Sequence, residues 1–491
     1  MLGVKSSDLK QAKTETIVIP VCEDENIHKN NAILSLIKQA MNYPEFKGEK
    51  DQELTLYNPL EFKITRAVFI GMGKCEKVDI EALRAFSGQG VRRCIDKNIS
   101  EILITVPDAK NLKTDTSAIV YGMMEGGFLA NHLFDRYKKK KEKEPLRQID
   151  FLLEKDEAEK YGSLTSKVET VCAGTILARE WVSTPSNDKQ PEEFTDSIVA
   201  VAEKEELEIT VLDQKALEQQ KFNAMLSVAA GSQSSPRLII LAHQPRGAAK
   251  TIALVGKGVT FDSGGINLKP SKALEDMKQD MSGAAAVAAT MITLSRLKMP
   301  VNVIGVIPVV ENMPSGNAAR PGDIVKTYNG KTVEISNTDA EGRLILCDAI
   351  SYVIEKYKPG ALIDVATLTG ACVVALGEKI AGLFSLDQQL ADAIIKSGLK
   401  THERCWQLPL PHDYKELLKS DFADLNNVSN SGWGGAITAA LFLSEFAEHT
   451  RWAHIDIAGT AYIKKQTEYC NPGGTGFGVR LLINLLEEIN L

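Results

Sequence analysis

The sequence predicts an α/β protein of two domains, a smaller N-terminal α/β domain and a larger C-terminal domain with a mostly parallel central sheet covered by helices. Two observations predict this class. Apolar runs of strand length alternate with segments of helical spacing through both halves of the 491 residues. In the second half these runs are almost continuously apolar, as strands are when a parallel sheet is buried on both faces.

The first half begins the alternation. Its predicted strands lie at 15–21, 67–73, 101–107 and 149–153. Its predicted helices lie at about 79–94 and 118–137. The basic run KKKKEK at 138–143 is interpreted as a solvated helix end, because no aromatic or further basic partners surround it.

The second half repeats the pattern with more apolar strands. These predicted strands lie at 251–258, 301–310, 331–336, 361–368 and 452–459. The predicted helices between and after them lie at 282–297, 344–357 and 436–449. Ligands bind at the carboxyl ends of the strands in such sheets, so polar residues directly after a strand are the candidates for chemistry.

A helical stretch joins the two halves and sets the expected domain boundaries. The segment 168–187 has helical spacing and reaches Pro185. We expect an N-terminal domain over 1–165, a linker helix over 166–187 and the larger domain over 188–491.

Composition excludes several classes of protein. The net charge of −7 and the pI near 5.7 argue against broad binding to nucleic acid or to an anionic membrane. The N-terminus has no apolar core of signal-peptide length, and no stretch approaches the roughly 18 apolar residues of a membrane span. The eight cysteines form no CxxC pair, which favours reduced thiols in a cytoplasmic protein.

Common catalytic motifs are missing from the sequence. There is no HExxH, GxSxG or HxxEH, and the seven histidines are dispersed, so a histidine-rich zinc site is not expected. The segments 71–76 and 325–332 lack glycines that a dinucleotide loop or a phosphate loop requires, and both are interpreted as ordinary turns.

Four acids from separate strand-end segments are the stronger lead: Asp262, Asp280, Asp339 and Glu341. Each also has an ordinary structural interpretation. Asp262 precedes Ser-Gly-Gly as a turn aspartate would, and Asp280 sits where a helix cap would. Asp339 and Glu341, within NTDAEGRL at 337–344, suit a helix N-terminus, where the dipole favours acids.

Taken together, the acids indicate a metal centre. Clustered carboxylates without cations would repel one another and raise their pKa values. Divalent ions, or the nearby Lys257, Lys269 and Arg343, would relieve this conflict. Spacing alone does not decide which lysine faces metal and which faces substrate.

The chain resembles the leucyl aminopeptidases, the M17 metallopeptidases. The octapeptide at 337–344 is the signature of that family, and five further blocks follow the family's order: 255–265, 268–270, 277–286, 364–371 and 452–461. The blocks span most of the second half, whereas the N-terminal domain is similar only in size and α/β character.

The resemblance implies a role for each matching residue. Asp262 and Glu341 would bridge two divalent ions, Mn²⁺ or Zn²⁺. Asp339 would complete the exchangeable site, and Lys257 and Asp280 would complete the tighter one. Lys269 would remain a cation beside the scissile carbonyl, and Arg343 would hold a bicarbonate ion as general base. The pocket for the first side chain would contain Met277, Thr367, Gly370 and Ala458.

The function implied by the resemblance is release of N-terminal, leucine-like residues from peptides with a free N-terminus, by metal-activated water, in a cytoplasmic homohexamer. His454 and Asp456 are interpreted as buried structural groups rather than ligands.

The alternative function is that of a DNA-binding or regulatory protein on the same scaffold, which the negative charge disfavours. A two-metal phosphoesterase would need histidine ligands and a phosphate loop, and the sequence has neither. A non-catalytic member of the family should have lost some of the residues proposed for metal binding and catalysis, and none is lost here.

Overall fold

The computed structural model describes residues 1–6, 9, 14–112, 114–245, 250–447 and 449–489. The chain divides into two compact units. The first contains Met1–Cys172 and Lys465–Pro472, and the second contains Ala173–Lys464 and Gly473–Leu491. Helix α6 (Leu164–Ser183) runs across this division along the chain. None of the helices in the described part of the chain has the length and hydropathy that a membrane span needs.

The first unit is built on a six-stranded sheet. Its strands are β1 (Leu2–Lys5), β2 (Thr16–Cys22), β3 (Glu53–Tyr57), β4 (Arg66–Gly73), β5 (Glu101–Thr105) and β6 (Gln148–Leu152). Its other helices are α1 (Asn31–Met41), α2 (Ile80–Asp96), α3 (Ala109–Leu112), α4 (Thr116–Ala130) and α5 (Lys155–Tyr161). The strand order is β1-β6-β5-β2-β4-β3, and among these described strands only β3 pairs antiparallel with its neighbour.

The end of α4 corrects one expectation. The helix stops at Ala130 rather than near 137, and the exposed basic run 138–143 is not helical, so it is not a helix end. The side chain of Asn131 accepts a hydrogen bond from the backbone N–H of Leu146 and donates one to its carbonyl. This pairing with the returning chain replaces the next helical turn.

The second unit contains the remaining strands in three sheets. They are β7 (Glu208–Leu212), β8 (Arg237–His243), β9 (Thr251–Gly256), β10 (Gly258–Asp262), β11 (Asn302–Asn312), β12 (Asp323–Lys326), β13 (Thr332–Ile335), β14 (Ala361–Ala366), β15 (Ala381–Ser385), β16 (Cys405–Gln407), β17 (Leu425–Asn426), β18 (Trp452–Asp456), β19 (Tyr462–Ile463) and β20 (Gly473–Gly474). The large sheet has the order β16-β15-β18-β14-β9-β11-β8-β7, with β10 also paired to β11. Its central pairs β18-β14, β14-β9, β9-β11 and β10-β11 are parallel, which confirms the predicted fold class.

Helices surround this sheet. They are α7 (Pro191–Ala202), α8 (Gln214–Gln219), α9 (Asn223–Ala229), α10 (Ser271–Leu274), α11 (Ser282–Arg296), α12 (Glu341–Tyr357), α13 (Gly370–Leu376), α14 (Gln388–Thr401), α15 (Gly435–Ser444) and α16 (Val479–Glu488). Helix α11 is buried from Ser282 to Ser295, and its small residues let it lie directly on the strands. A β-carbon at Gly283 would lie 2.0 Å from the carbonyl oxygen of Val365 in β14. The segment before α11 is thereby held beside the ends of β9 and β14.

Candidate active site

The sequence-predicted site residues meet in one place. All of them except Arg343 line a single cavity of about 410 Å³ in the second unit. They are Lys257, Asp262, Lys269, Met277, Asp280, Asp339, Glu341, Thr367, Gly370 and Ala458. The lining thus combines the acids and lysines proposed for chemistry with the residues proposed for the first side chain.

Sheet topology explains why residues so distant in sequence come together. Lys257 lies between β9 and β10, Asp262 ends β10, and Thr367 follows β14 directly. Ala458 comes shortly after β18, the parallel neighbour of β14. Because parallel strands bring their carboxyl ends to one edge, these residues meet there.

Lys257 is the buried centre of one half of the site. Its Nζ lies 2.8 Å from Oδ1 of Asp280 and 2.8 Å from Oε1 of Glu341. It also donates to the carbonyl oxygen of Thr367 at 2.9 Å. The hydroxyl of Thr367 in turn donates to Asp280 Oδ1 at 2.8 Å, so Asp280 is fixed by two neighbours.

Lys269 occupies the other half. Its Nζ lies 2.7 Å from Oδ2 of Asp262 and 2.6 Å from Oδ1 of Asp339. The second oxygen of Asp262 accepts from the backbone N–H of Gly264, so the predicted turn role of Asp262 is also present. Lys269 is more accessible than Lys257, with 16% of its side chain exposed against 3%.

Burial and charge shift the pKa values of these groups in opposite directions. Burial alone would lower the pKa of Lys257, but the carboxylates of Asp280, Glu341 and Asp262 raise it above the usual value. Lys269 follows the same pattern, since burial is outweighed by Asp262 and Glu341 and its pKa is raised. Both side chains are therefore ammonium ions when the chain's own charges are considered.

The acids respond to the same environment. Burial, together with the charge of Glu341, raises the pKa of Asp262 to about 6. Burial raises the pKa of Asp280 and of Asp339 as well. For Glu341 burial acts in the same sense, but Lys257 and Lys269 outweigh it and lower the pKa.

The donor set fits divalent cations. Asp262, Asp280 and Glu341 each place a carboxylate oxygen so that all three oxygens lie within 4.8 Å of one another. Asp280 Oδ2 and Glu341 Oε2 are buried and have no hydrogen-bond partner among the described residues. The four clustered carboxylates, Asp339 included, exceed the two ammonium groups that contact them. A cluster of oxygen ligands with unbalanced negative charge is what hard or borderline divalent ions prefer.

Arg343 lies apart from the cavity wall. It is buried in the first turns of α12, where Nη1 donates to the carbonyl oxygen of Asn427 at 2.6 Å. Burial lowers the pKa of Arg343 to about 10, although Glu341 and Asp456 oppose this. Its Nε has no hydrogen-bond acceptor among the described residues, so the guanidinium keeps capacity for an anion.

The octapeptide at 337–344 is both a turn and a helix start. Asp339 lies in the turn after β13, where its backbone N–H donates to Asn337 Oδ1 at 2.8 Å, and Glu341 is the first residue of α12. Asp280, in contrast, does not cap α11. That N-cap position belongs to Met281, and the Asp280 side chain turns to Lys257 and Thr367 instead.

Sequence reasoning missed Asn312, the last residue of β11. Its buried amide donates to Asp262 Oδ1 at 2.8 Å and to the carbonyl oxygen of Thr338 at 3.1 Å, so it ties β10 to the turn that carries Asp339. Its position at the carboxyl end of a parallel strand was a usable signal. The rule that directs attention to polar residues after strands applies to it as well.

His454 and Asp456 are buried in β18, as their structural interpretation requires. His454 Nδ1 lies 2.5 Å from Asp364 Oδ1, and Trp452 Nε1 donates to Asp364 Oδ2. Asp456 accepts from the backbone N–H groups of Leu368 and Ala458, which holds two segments of the cavity wall.

Comparison with known proteins defines the class to which this fold and site belong. The model of the cytosol aminopeptidase family, catalytic domain, matches residues 176–483, and the model of the same family's N-terminal domain matches residues 10–141. The molecule is therefore a peptidase, a hydrolase of the aminopeptidase type. The chain belongs to the cytosol aminopeptidase family, as the sequence resemblance indicates.

Similar proteins match along nearly the whole chain. A probable cytosol aminopeptidase of Geobacter sp. (strain M21) is 42% identical over 99% of this chain and 99% of its own length. One from Chlorobium limicola is 39% identical with the same coverage. Among solved structures, the bottromycin maturation enzyme BotP in complex with Mn has a TM-score of 0.85 and 31% identity, covering 96% of this chain and 98% of its own.

Proposed function

We propose that this aminopeptidase is metal-dependent and releases N-terminal residues, leucine-like ones preferred, from peptides with a free N-terminus. The observation that carries the proposal is the cavity in which Asp262, Asp280 and Glu341 converge within 4.8 Å of one another beside two lysines. The solved structure of a similar protein, the bottromycin maturation enzyme BotP, is a complex with Mn, which also supports a metal-binding role for these acids.

The acids would divide between two ions. Asp262 and Glu341 would be shared, Asp339 would complete one site, and Asp280 with Lys257 would complete the other. Lysine ligates only as the neutral amine, so Lys257 would have to give up its proton. Two divalent ions bound there would lower the pKa of a water molecule and polarise the peptide carbonyl.

Lys269 would stabilise the negative charge that develops on the carbonyl oxygen. It is the more accessible lysine, and the neighbouring carboxylates keep it cationic. A single donor at such a position is worth roughly 3–4 kcal/mol of transition-state stabilisation. Arg343 would bind bicarbonate as the general base, which its Nε supports because it lacks an acceptor among the described residues.

The walls of the cavity support a preference for leucine-like first residues. Met277, Leu368, Val373 and Ala458 give it apolar surface next to the acidic cluster. An apolar side chain buried against this surface would gain about 25 cal/mol for each Å² removed from water. The α-amino group would lie toward the acids, so the enzyme would require a free N-terminus.

A leucyl anilide tests the proposal. Chelation should abolish release of leucine, and added Mn²⁺ or Zn²⁺ should restore it. Asp339→Ala should lose activity together with bound metal, whereas Lys269→Ala should lose about 10²–10³-fold in kcat and keep its metal. Lys272→Ala removes an exposed lysine of α10 and serves as control. Full activity after chelation, or in both variants, would reject the mechanism.

An N-acetylated substrate separates exopeptidase from endopeptidase action. If the free amine is recognised in the acidic part of the cavity, acetyl-leucyl anilide should not be cleaved. Cleavage at a rate near that of the free amine would remove the basis for the N-terminal assignment.

The remaining parts of the proposal rest on family resemblance. They are Mn²⁺ or Zn²⁺ as the bound ions, a homohexamer as the assembly and a cytoplasmic location. Elemental analysis of protein purified from its own cells tests the first, sedimentation velocity the second and cell fractionation the third.

A further inference from the structure

A small cavity lies in the first unit, at the carboxyl edge of its parallel strands. Its volume is about 30 Å³, and its wall is formed by residues that end or follow β2, β5 and β6. The sheet places β4 on one side of β2 and β5 on the other, so the winding of the chain reverses between β2 and β5. Open parallel sheets bind ligands at such a reversal, outside the carboxyl ends of the strands. The position therefore makes this cavity a candidate site that the proposed reaction does not use.

The cavity wall contains a buried histidine, His28, which is 3% exposed. Its Nε2 lies 2.9 Å from the carbonyl oxygen of Pro20, and since a carbonyl oxygen only accepts, Nε2 carries the proton. Burial lowers the pKa of His28 to about 4, so the ring is neutral near pH 7 and Nδ1 is an acceptor. Nδ1 is buried and has no hydrogen-bond partner among the described residues. A ligand that donates a hydrogen bond would supply this partner.

The charged side chains of the wall are Lys29, Asp108, Glu154 and Glu157. Three carboxylates and one ammonium group leave an excess of two negative charges. Lys29 offsets the acids only weakly, because its Nζ lies 3.7 Å from Asp108 Oδ2 and 3.9 Å from Glu157 Oε1, beyond hydrogen-bond distance, and half of its side chain is exposed. The cavity therefore favours a positively charged ligand.

An ammonium group matches this wall in charge, hydrogen bonding and size. It has three N–H donors and no acceptor, whereas the neutral imidazole Nδ1 and the carboxylates accept. A volume of about 30 Å³ admits one or two groups of the size of a water molecule. The tip of a primary amine satisfies these limits, whereas a ring system exceeds them.

Two other classes of ligand fit less well. A phosphate or carboxylate group would face the three acids, and the side chain of Asn30 already accepts from the N–H groups of Ala32 and Ile33 at the start of α1. A divalent metal ion needs ligand atoms that converge. Among the described residues, three such atoms lie within 4.8 Å of one another only in the acidic cluster of the candidate active site.

We propose that the cavity beside His28 binds the ammonium tip of a primary amine. One N–H would donate to His28 Nδ1, and the others would donate to the carboxylates of Asp108 and Glu157. The remainder of the ligand would extend past the exposed side chains of Lys29 and Glu154 into solvent. Release of leucine from peptides does not depend on this site.

Calorimetric titration of the full chain with methylammonium chloride tests the proposal at constant ionic strength. The Kd should lie in the millimolar range, the limit for a probe with two non-hydrogen atoms. Tetramethylammonium carries the same charge without an N–H donor, and it should bind at least tenfold more weakly. Equal binding of the two probes, or no binding of methylammonium well above this range, would overturn the proposal.

Charge variants give effects of opposite sign. Glu157→Gln should weaken methylammonium binding about two- to fivefold, the range for an accessible ion pair. Glu159→Gln is the matched control, because Glu159 is an exposed acid of the same helix α5 that does not line the cavity, and it should leave the affinity unchanged. Lys29→Gln should tighten binding, since it removes the positive charge that competes with the probe. An equal fall in both glutamate variants, or weaker binding in Lys29→Gln, would contradict the proposed site.

His28→Gln tests the buried acceptor. The glutamine amide can still donate to the carbonyl oxygen of Pro20, but it places no acceptor at the position of Nδ1, so methylammonium should bind roughly tenfold more weakly. Thermal unfolding of the variant checks that the fold is retained, and the glutamate and lysine variants at accessible positions test the site even if it is not. Unaltered affinity in His28→Gln, or binding that is lost in Asp280→Ala instead, would place the probe elsewhere and overturn the proposal. Binding of Mn²⁺ in place of methylammonium, abolished by His28→Gln, would replace the amine by a metal ion.

Discussion

Lys257 packs so closely on the backbone of Gly342 that a β-carbon at position 342 would lie 2.6 Å from Lys257 Cε and 2.8 Å from Nζ. Gly342 follows Glu341, so the start of α12 presses against the lysine that its own first residue contacts. The buried ion cluster thus requires a residue without a β-carbon at position 342 of the octapeptide.

Gly342→Ala should therefore disable the site more than it destabilises the fold. The added methyl group would displace Lys257 from Asp280 and Glu341, and misplacement of site groups by about 1 Å can reduce activity ~100-fold. Leucyl anilide hydrolysis and bound metal should both fall. Gly316→Ala is the control, since no atom in the described part of the chain lies within 4 Å of a β-carbon there. Unaltered activity in Gly342→Ala would show that Lys257 has room to move without consequence.

Asn312→Ala should weaken metal binding through Asp262. The amide of Asn312 donates to Asp262 Oδ1 at 2.8 Å, and residues that orient metal ligands affect affinity by roughly 10–100-fold. Loss of its buried contact with the Thr338 carbonyl should also reduce the free energy of unfolding by about 1–3 kcal/mol. Metal affinity and urea denaturation measure the two effects.

Asn302 offers the comparison for that variant, because it lies at the opposite end of the same strand. Its amide donates to Thr251 Oγ1 at 2.8 Å, away from the carboxyl edge of the sheet. Asn302→Ala should alter stability and leave metal affinity unchanged. Equal metal affinities in the two alanine variants would contradict an orienting role for Asn312.

Asp348 should make stability depend on pH in a defined direction. Burial raises the pKa of this carboxyl to about 7, although backbone N–H groups of Tyr328 and Met225 donate to it and oppose the shift. A raised folded-state pKa means that the native chain binds the proton more tightly than the unfolded chain does. This tighter proton binding stabilises the fold fully below the unfolded pKa near 4. The stabilisation is lost as pH rises from about 4 to about 7.

The size of this change should be about 4 kcal/mol, from roughly three pKa units at 1.36 kcal/mol each. Asp348→Asn removes the titration, so the unfolding free energy of the unaltered protein minus that of the variant should fall as pH rises through this window. Denaturant unfolding at several pH values measures the difference. Asp392→Asn, at an exposed position of helix α14, is the control for loss of a carboxylate. A flat difference for Asp348→Asn would reject the assignment.

The sequence predicts the buried central elements well because their apolar runs are long. Strands β9, β11, β14 and β18 and helices α11 and α12 all lie close to their predicted ranges. Strands such as β7 and β17 were not predicted. Strand β7 is half exposed and β17 has two residues, so neither leaves an apolar run that the sequence could reveal.

The candidate site shows a similar limit. Its acids and lysines could be proposed from strand-end positions and family motifs, but their partners could not. Lys257 with Glu341 and Lys269 with Asp339 are pairs that only the three-dimensional arrangement brings together. The residue preferences of helix caps predict a capping role for Asp280, because they take no account of tertiary contacts. In the structure its side chain binds Lys257 and Thr367 instead.

Lys189 supports the segment that carries Asp280. Its buried Nζ donates to the carbonyl oxygens of Trp181, Val182 and Lys278 at 2.9, 3.0 and 2.6 Å, and it lies 3.3 Å from Met281 Sδ. Lys278 and Met281 flank Asp280, so Lys189 anchors that turn to the end of α6.

Lys189→Met should leave these buried carbonyl oxygens without a donor and reduce the unfolding free energy by about 3 kcal/mol. The freed turn should also bind metal at least tenfold more weakly, since Asp280 loses its anchor. Excess metal should then restore part of the leucyl anilide activity, a response that a purely destabilised variant would not give. Lys204→Met, at an exposed position after α7, controls for loss of a lysine charge. Normal metal affinity in a destabilised Lys189→Met would confine Lys189 to a role in folding.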